Sequence, residues 1–392
     1  LLKGLNPKIE RAFPQLQDTS ITQLDNYYTV DLDNFDDTLE IMSLIENSGL
    51  VENVEFNEIY TLSPIEQTNA YGENEPKYND TILNDLRISD QWAFNYMKIN
   101  ELVKLMRTLY PLKKARIFIL DTGVDSKHED LSGNYQSLSE EYDTDTGIHG
   151  THCAGIAGSV SNNKKGIASL NFTGRFTSIS SITVLPGGSG RQENIIDGII
   201  LACDNGADVI SMSLGGPSSE KRQKAYEQAI KYANDKGAIV IVAAGNENVN
   251  ARLAVPASCK GVITVSAVNH ELSKAGFSNY VTDIEYKISA PGVNILSTIP
   301  GNEYKFLNGT SMATPLVAGL AGIMKAIQPD LTTEQIYNIL TKTGMETRST
   351  PETGKFIQPF EAIKSIEKKG LKAGALNYLG KISSFSAEAA GD

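Results

Sequence analysis

Asn308-Gly309-Thr310-Ser311-Met312-Ala313-Thr314-Pro315-Leu316-Val317-Ala318-Gly319 places a serine just ahead of a run of small and apolar residues. With Ala313, Leu316, Val317, Ala318, Leu320 and Ala321 the run reads as a buried helix. Small side chains let neighbouring backbone approach closely, and Gly309 permits a tight turn into the helix. A serine in this position is most often an ordinary N-cap. It is also where the helix dipole and free N–H groups would stabilise an oxyanion. The stretch alone leaves both readings open.

Outward from it, residues 91–345 alternate between two patterns. Runs 115–120, 177–185, 209–214, 239–244 and 262–268 are short and apolar, as strands buried on both faces are. Between them lie helical stretches such as 193–205 and 220–236. This predicts βαβ units: an α/β fold with a doubly wound, mainly parallel sheet and helices on both faces. Ahead of it, residues 1–63 read as a small α+β, ferredoxin-like unit. Its parts are a strand over 27–32, a helix over 39–47 closed by Gly49, and an alternating strand over 51–62. Residues 64–79 have few large apolar side chains and read as an exposed linker open to proteolysis. A catalytic domain is expected over 80–365, and a small-residue-rich tail over 366–392.

With 392 residues, 41% apolar and 21% charged, the chain has the composition of an ordinary globular protein with ample material for a core. A net charge of −12 argues against nucleic acid as a partner, which requires a basic face, and suits cation binding. No stretch approaches the roughly 18 consecutive apolar residues of a membrane span. Three cysteines, Cys153, Cys203 and Cys259, do not make a disulfide framework.

Chemistry-bearing residues cluster in three places. Run 115–120 ends in Asp121-Thr122-Gly123-Val124-Asp125, and strand carboxyl ends line the functional crevice of open parallel sheets. His149-Gly150-Thr151-His152-Cys153-Ala154-Gly155 puts a histidine at the start of a small-residue helix. Zinc on His149 and His152 is a competing reading, weakened by the lack of HExxH or a cysteine pair at zinc spacing. The serine-hydrolase reading needs a nucleophile, a base and a carboxylate to orient it. Asp121, then His149, then Ser311 supply them, in that chain order.

On DTGVD at 121–125, HGTHCAG at 149–155 and GTSMATP at 309–315, the chain resembles the subtilisin-like serine proteases, nearest the thermitase and proteinase K branches. The resemblance implies that Asp121 orients the base, His149 is the base and then the acid, and Ser311 is the nucleophile. His152 matches the motif's non-catalytic histidine. Asn246, with the Ser311 N–H, would form the oxyanion hole. Segments Gly188-Ser189-Gly190 and Ser213-Leu214-Gly215 would sandwich an extended peptide substrate, which implies a broad endopeptidase.

The resemblance also implies Ca²⁺, held by the Asn163 side chain, the backbone carbonyls of Val160, Lys165 and Ile167, and the carboxylates of Asp80 and Asp130. A thiol at Cys153 implies sensitivity to mercurials. Residues 1–63 resemble an inhibitory propeptide, released by cleavage between Leu62 and Pro76 and acting on its own chain. Secretion and a monomeric state are expected, the targeting segment lying outside this sequence. The alternative, a catalytically silent scaffold of the same fold, predicts a replaced triad member, and none is replaced.

Overall fold

In the computed structural model, which describes residues 7–32, 38–62 and 76–366, the amino-terminal unit is simpler than its pattern. β1 (Lys8–Arg11) and β2 (Tyr28–Asp31) form an antiparallel pair, with Lys8 opposite Asp31. α1 (Thr38–Glu46) falls where the acidic start and Gly49 predict it. The alternating run 51–62 yields only β3 (Ile59–Thr61), and β3 pairs outside its own unit. In place of a ferredoxin-like sheet, the described residues show a two-stranded ribbon and a strand lent to the larger domain. Most of the linker (63–75), with almost all of the expected cleavage window, and most of the tail (367–392) lie outside the described residues.

In the larger domain α2 (Ile99–Thr108) leads into β4 (Ala115–Asp121), α3 (His149–Gly158), β5 (Thr177–Thr183) and β6 (Ser189–Arg191). Then come α4 (Gln192–Asp204), β7 (Val209–Met212), β8 (Gly216–Pro217), α5 (Glu220–Asp235) and β9 (Ile239–Ala243). β10 (Ala254–Val255), β11 (Val262–Val268), β12 (Lys287–Pro291) and the hairpin β13 (Ile295–Ile299) and β14 (Glu303–Leu307) follow. α6 (Thr310–Ile327), α7 (Thr333–Thr343), α8 (Thr350–Thr353) and β15 (Lys355–Phe356) follow, and residues 359–366 are again helical.

Seven strands form one sheet in the order β15-β12-β11-β9-β7-β4-β5, every neighbouring pair parallel. Side chains alternate across it. Ile117 and Ile119 of β4 enter one core, with α3 and α6, while Phe118 and Leu120 enter the other, with α4 and α5. Burial on both faces explains why these strands read as unbroken apolar runs. α6 is long and apolar enough for a membrane span, but it is the buried core helix of this domain. It crosses α3 so closely that a Cβ at Gly319 would lie 2.7 Å from the Ala157 carbonyl oxygen.

β4 comes first in the chain, β5 is added on one side and β7 to β15 on the other. The winding therefore reverses at β4, and ligands of such sheets bind outside the carboxyl ends of the strands at that point. Asp121 is the last residue of β4.

Candidate active site

Asp121 is fully buried, and its Oδ1 accepts from the Thr122 N–H at 2.8 Å and from His149 Nδ1 at 2.7 Å. A carboxylate facing Nδ1 requires the proton on that nitrogen, which leaves the Nε2 lone pair for other work. The approach of α3 to β4 is set by Asp145, a residue no motif singles out. It accepts from the Thr122 hydroxyl at 2.7 Å and from the Thr151 N–H and hydroxyl at 2.9 and 2.7 Å. Burial is the largest single influence and opposes a charged His149, yet the Asp121 carboxylate and Cys153 together raise the imidazole well above its ordinary value. His152 has no such partner. Burial lowers it to about 3, and its Nε2 meets the Lys305 carbonyl at 2.9 Å. The two histidines thus turn to different partners rather than converging as zinc ligands.

Ser311 sits in the first turn of α6, where Pro315 four residues on has no N–H for the Ser311 carbonyl. That orphaned oxygen is taken by the Ser213 hydroxyl at 2.9 Å and the Cys153 thiol at 3.4 Å. Burial raises the Cys153 thiol, keeping it a donor. In return the Ser311 hydroxyl donates to the Ser213 carbonyl at 3.2 Å. Ser311 and His149 line one open cleft with Leu185, Ser213-Leu214-Gly215 and Asn246. The Ser311 proton points at Ser213 rather than at His149; catalytic hydrogen bonds of unliganded sites commonly tighten only with substrate.

Asn246, just past β9, is oriented by Thr310. Its Oδ1 accepts from both the Thr310 N–H and the Thr310 hydroxyl at 2.9 Å. A backbone N–H only donates, so the amide orientation is fixed and the NH₂ end is left for the cleft beside Ser311. Removing one donor of this kind from an oxyanion site typically lowers kcat by about 10²–10³.

Along the cleft, β3 pairs antiparallel with β6: Ile59 opposite Arg191, Tyr60 opposite Gly190, Thr61 opposite Ser189. The Leu62 N–H donates to the Gly188 carbonyl at 2.9 Å, and the Gln192 N–H to the Glu58 carbonyl at 2.8 Å. Gly188-Ser189-Gly190 therefore holds an added strand, supplied by the chain itself.

Of the residues expected to hold a cation, Asp130, Val160, Asn163, Lys165 and Ile167 lie together and Asp80 lies apart. Asp130 is buried and accepts from the Ile167 N–H at 2.8 Å and the Asn163 amide at 2.7 Å, and its carbonyl accepts from the Val160 N–H at 2.7 Å. The Lys165 N–H donates to the Asn163 side-chain oxygen at 2.8 Å. Asp80 is not in this group. It is exposed, with its carbonyl bonded to the Asn100 amide. Asp85, five residues further on, lies against the loop instead, because the Leu86 and Arg87 N–H groups bond to the Lys165 and Gly166 carbonyls. Asp85 is buried and its Oδ1 accepts from the Asn163 N–H at 3.3 Å, while its Oδ2 meets no donor among the described residues. Burial raises Asp85 to about 6, and burial also raises Asp130.

The Subtilase family profile matches residues 113–373. Thermitase from Thermoactinomyces vulgaris is 42% identical over 216 residues, 54% of this chain and 74% of the relative. Subtilisin DY from Bacillus licheniformis is 37% identical over 260 residues, 64% of this chain and 92% of the relative. A thermophilic serine proteinase from Bacillus sp. (strain AK1) is 43% identical over 213 residues, 53% of this chain and about half (51%) of that relative's length. A solved protease from Pseudoalteromonas arctica PAMC 21717 superposes with a TM-score of 0.63 at 28% identity, covering 73% of this chain and 99% of that one. The chain belongs to the subtilase family, a family of serine endopeptidases.

Proposed function

We propose that the chain is the self-inhibited zymogen of a calcium-stabilised serine endopeptidase. The observation that carries this is the buried Asp121–His149 pair facing, across one cleft, a helix-borne serine beside the oriented Asn246 amide. In this reading Ser311 Oγ attacks the scissile carbonyl as its proton passes to His149 Nε2. Asp121 stabilises the imidazolium, and the developing oxyanion is met by the Asn246 amide and the Ser311 N–H. His149 then returns the proton to the leaving amine, and water hydrolyses the acyl-enzyme by the same path. Incubation of the processed protein with a fluorophosphonate is expected to label Ser311 and abolish peptidase activity together. Active protein that stays unlabelled refutes the reading.

Residues 1–63 serve as the inhibitor in this proposal, 64–79 as the processing linker, 80–365 as the catalytic domain and 366–392 as a tail. The pairing of β3 with β6 supports it, since main-chain bonds to a lent strand are how a peptide substrate would also bind. Complementary charge supports it as well: Glu46 and Glu58 of the first unit pair with Lys221 and Arg222 of α5. Peptide substrates, a monomeric state and export from the cell belong to the same reading.

For the cation, the residues fit a hard ion. Two buried carboxylates, one with an orphaned oxygen, lie beside a loop rich in backbone carbonyls. Asp85, Asp130, Asn163 and the carbonyls of Val160, Lys165 and Ile167 would hold Ca²⁺, which would neutralise the acidic pair and tie segment 85 to the loop. At calcium a hundredfold above Kd the gain is about 2.7 kcal/mol, a rise of about 3–5 °C in Tm. A chelator should remove that increment from the wild type and leave Asp130→Asn unchanged. A proton competes at Asp85, so the increment should shrink as pH falls below about 6. Equal melting curves with and without chelator at neutral pH would exclude the site.

A further inference from the structure

The loop that carries Asn246 is held by one buried side chain. Asn279, between β11 and β12, is fully buried and lies against residues 244–249. Its Oδ1 accepts from the Glu247 N–H at 3.0 Å and from the Val249 N–H at 2.9 Å. Its Nδ2 donates to the Ala244 carbonyl and to Glu247 Oε2, each at 2.9 Å. A primary amide has two donors and two acceptor sites, and all four are used. Backbone N–H groups only donate, so this amide can face the loop in one orientation. The Asn279 N–H adds a bond to the Gly245 carbonyl at 2.9 Å. Gly245 has φ +102°, and a Cβ there would lie 2.3 Å from Asn279 Nδ2, so a glycine is required at the point of contact.

These bonds bracket Asn246. Thr310 reaches Gly245, whose N–H donates to its hydroxyl at 3.2 Å, and Asn246 itself. Asn279 reaches both flanks, residues 244 and 245 before Asn246 and residues 247 and 249 after it. An oxyanion donor must lie about 2.7–3.1 Å from where the charge develops, and a misplacement of about 1 Å can cost a factor of about 10². We propose that Asn279 is a positioning residue of the oxyanion site, holding loop 244–249 in the register that brings the Asn246 amide to the oxyanion as it forms. This rests on the reading of Asn246 as an oxyanion donor. The Asn279 amide has no donor left over for a substrate, so it acts through Asn246 and not on the reacting atoms.

Asn279→Leu removes all four side-chain bonds at similar volume. The loop stays attached, because the Asn248 N–H still donates to the Phe277 carbonyl and the Tyr280 N–H to the Val249 carbonyl, both at 2.9 Å. The test uses full-length chains brought to activity by their own processing, with active sites counted by fluorophosphonate. Asn279→Leu should lower kcat about a hundredfold and leave KM within about threefold, as loss of a contact made only in the transition state does. In an Asn246→Ala background the donor is already gone, and the same substitution should cost less than about threefold in kcat. Asn279→Asp keeps the acceptor for the two loop N–H groups but turns an oxygen toward the Ala244 carbonyl and the Glu247 carboxylate. Its kcat should fall between those of wild type and Asn279→Leu. Where processing stalls, its rate on a denaturing gel is the readout for the same comparison, since it runs through the same oxyanion site. An equal fall in both backgrounds, or a lower melting temperature with kcat unchanged, makes Asn279 purely structural and overturns the assignment while the protease reading stands. Failure of both Asn279 variants to fold overturns it equally. A wild type that neither labels nor hydrolyses overturns the protease reading, and this assignment with it.

Discussion

Ser311→Ala lowers kcat by about 10⁶, the scale of losing the nucleophile of such a triad, and leaves the chain uncut. The substitution removes one oxygen and little else. The Ser213 and Cys153 bonds at this position go to the Ser311 backbone carbonyl, which alanine retains. What disappears is the 3.2 Å bond from the hydroxyl to the Ser213 carbonyl. Folding should therefore change by less than about 1.5 kcal/mol, the range for one hydrogen bond. Two readouts separate chemistry from structure. Peptide turnover should collapse while the melting temperature holds, and on a denaturing gel the full-length band should persist where the wild type converts to a faster one. Residual turnover above that of water is expected, because the Asn246 donor and the binding strands remain in place. A variant that still processes itself at the wild-type rate would remove Ser311 from the mechanism.

What the sequence made legible follows from how locally each feature is encoded. Asp121, His149 and Ser311 each stand at the end of a strand or the start of a helix, next to glycines, so short motifs mark them. Five of the seven sheet strands are buried on both faces and read as apolar runs. β12 (KISAP) mixes polar residues and a proline into its run, and β15 has two residues, too few to carry a period. The alternation over 51–62 is stronger than its outcome, because a strand extends only as far as its partner edge, and β6 has three residues. Asp85 was out of reach for another reason. Its place beneath the loop is set by backbone bonds from Leu86 and Arg87 to a segment nearly eighty residues away, and no side-chain pattern records that register.

Asp121→Asn has the second largest expected effect, a fall of about 10⁴ in kcat near neutral pH, and its pH profile is the sharper test. The Thr122 N–H and His149 Nδ1 share one oxygen of Asp121, so the introduced asparagine can keep its side-chain carbonyl there and hold the same tautomer. The imidazolium then lacks a counter-charge. With the amide reversed, NH₂ faces Nδ1 and places the imidazole proton on Nε2, where the serine needs a lone pair. Both arrangements weaken the base. In the wild type His149 is held well above 6.5, so activity must climb as pH rises through that raised value, where the imidazole loses its proton. With the carboxylate gone, burial is the main influence left, and it acts in the opposite direction. The acid limb of the variant should shift to lower pH even as its plateau drops. Stability carries the same sign. A histidine raised by folding adds stability in full below its unfolded value near 6.5, and that increment fades as pH rises through the folded one. The wild type should thus lose more stability than Asp121→Asn between pH 6 and the alkaline range. Superimposable acid limbs, or parallel stability curves, would mean that Asp121 does not charge His149 in the working enzyme.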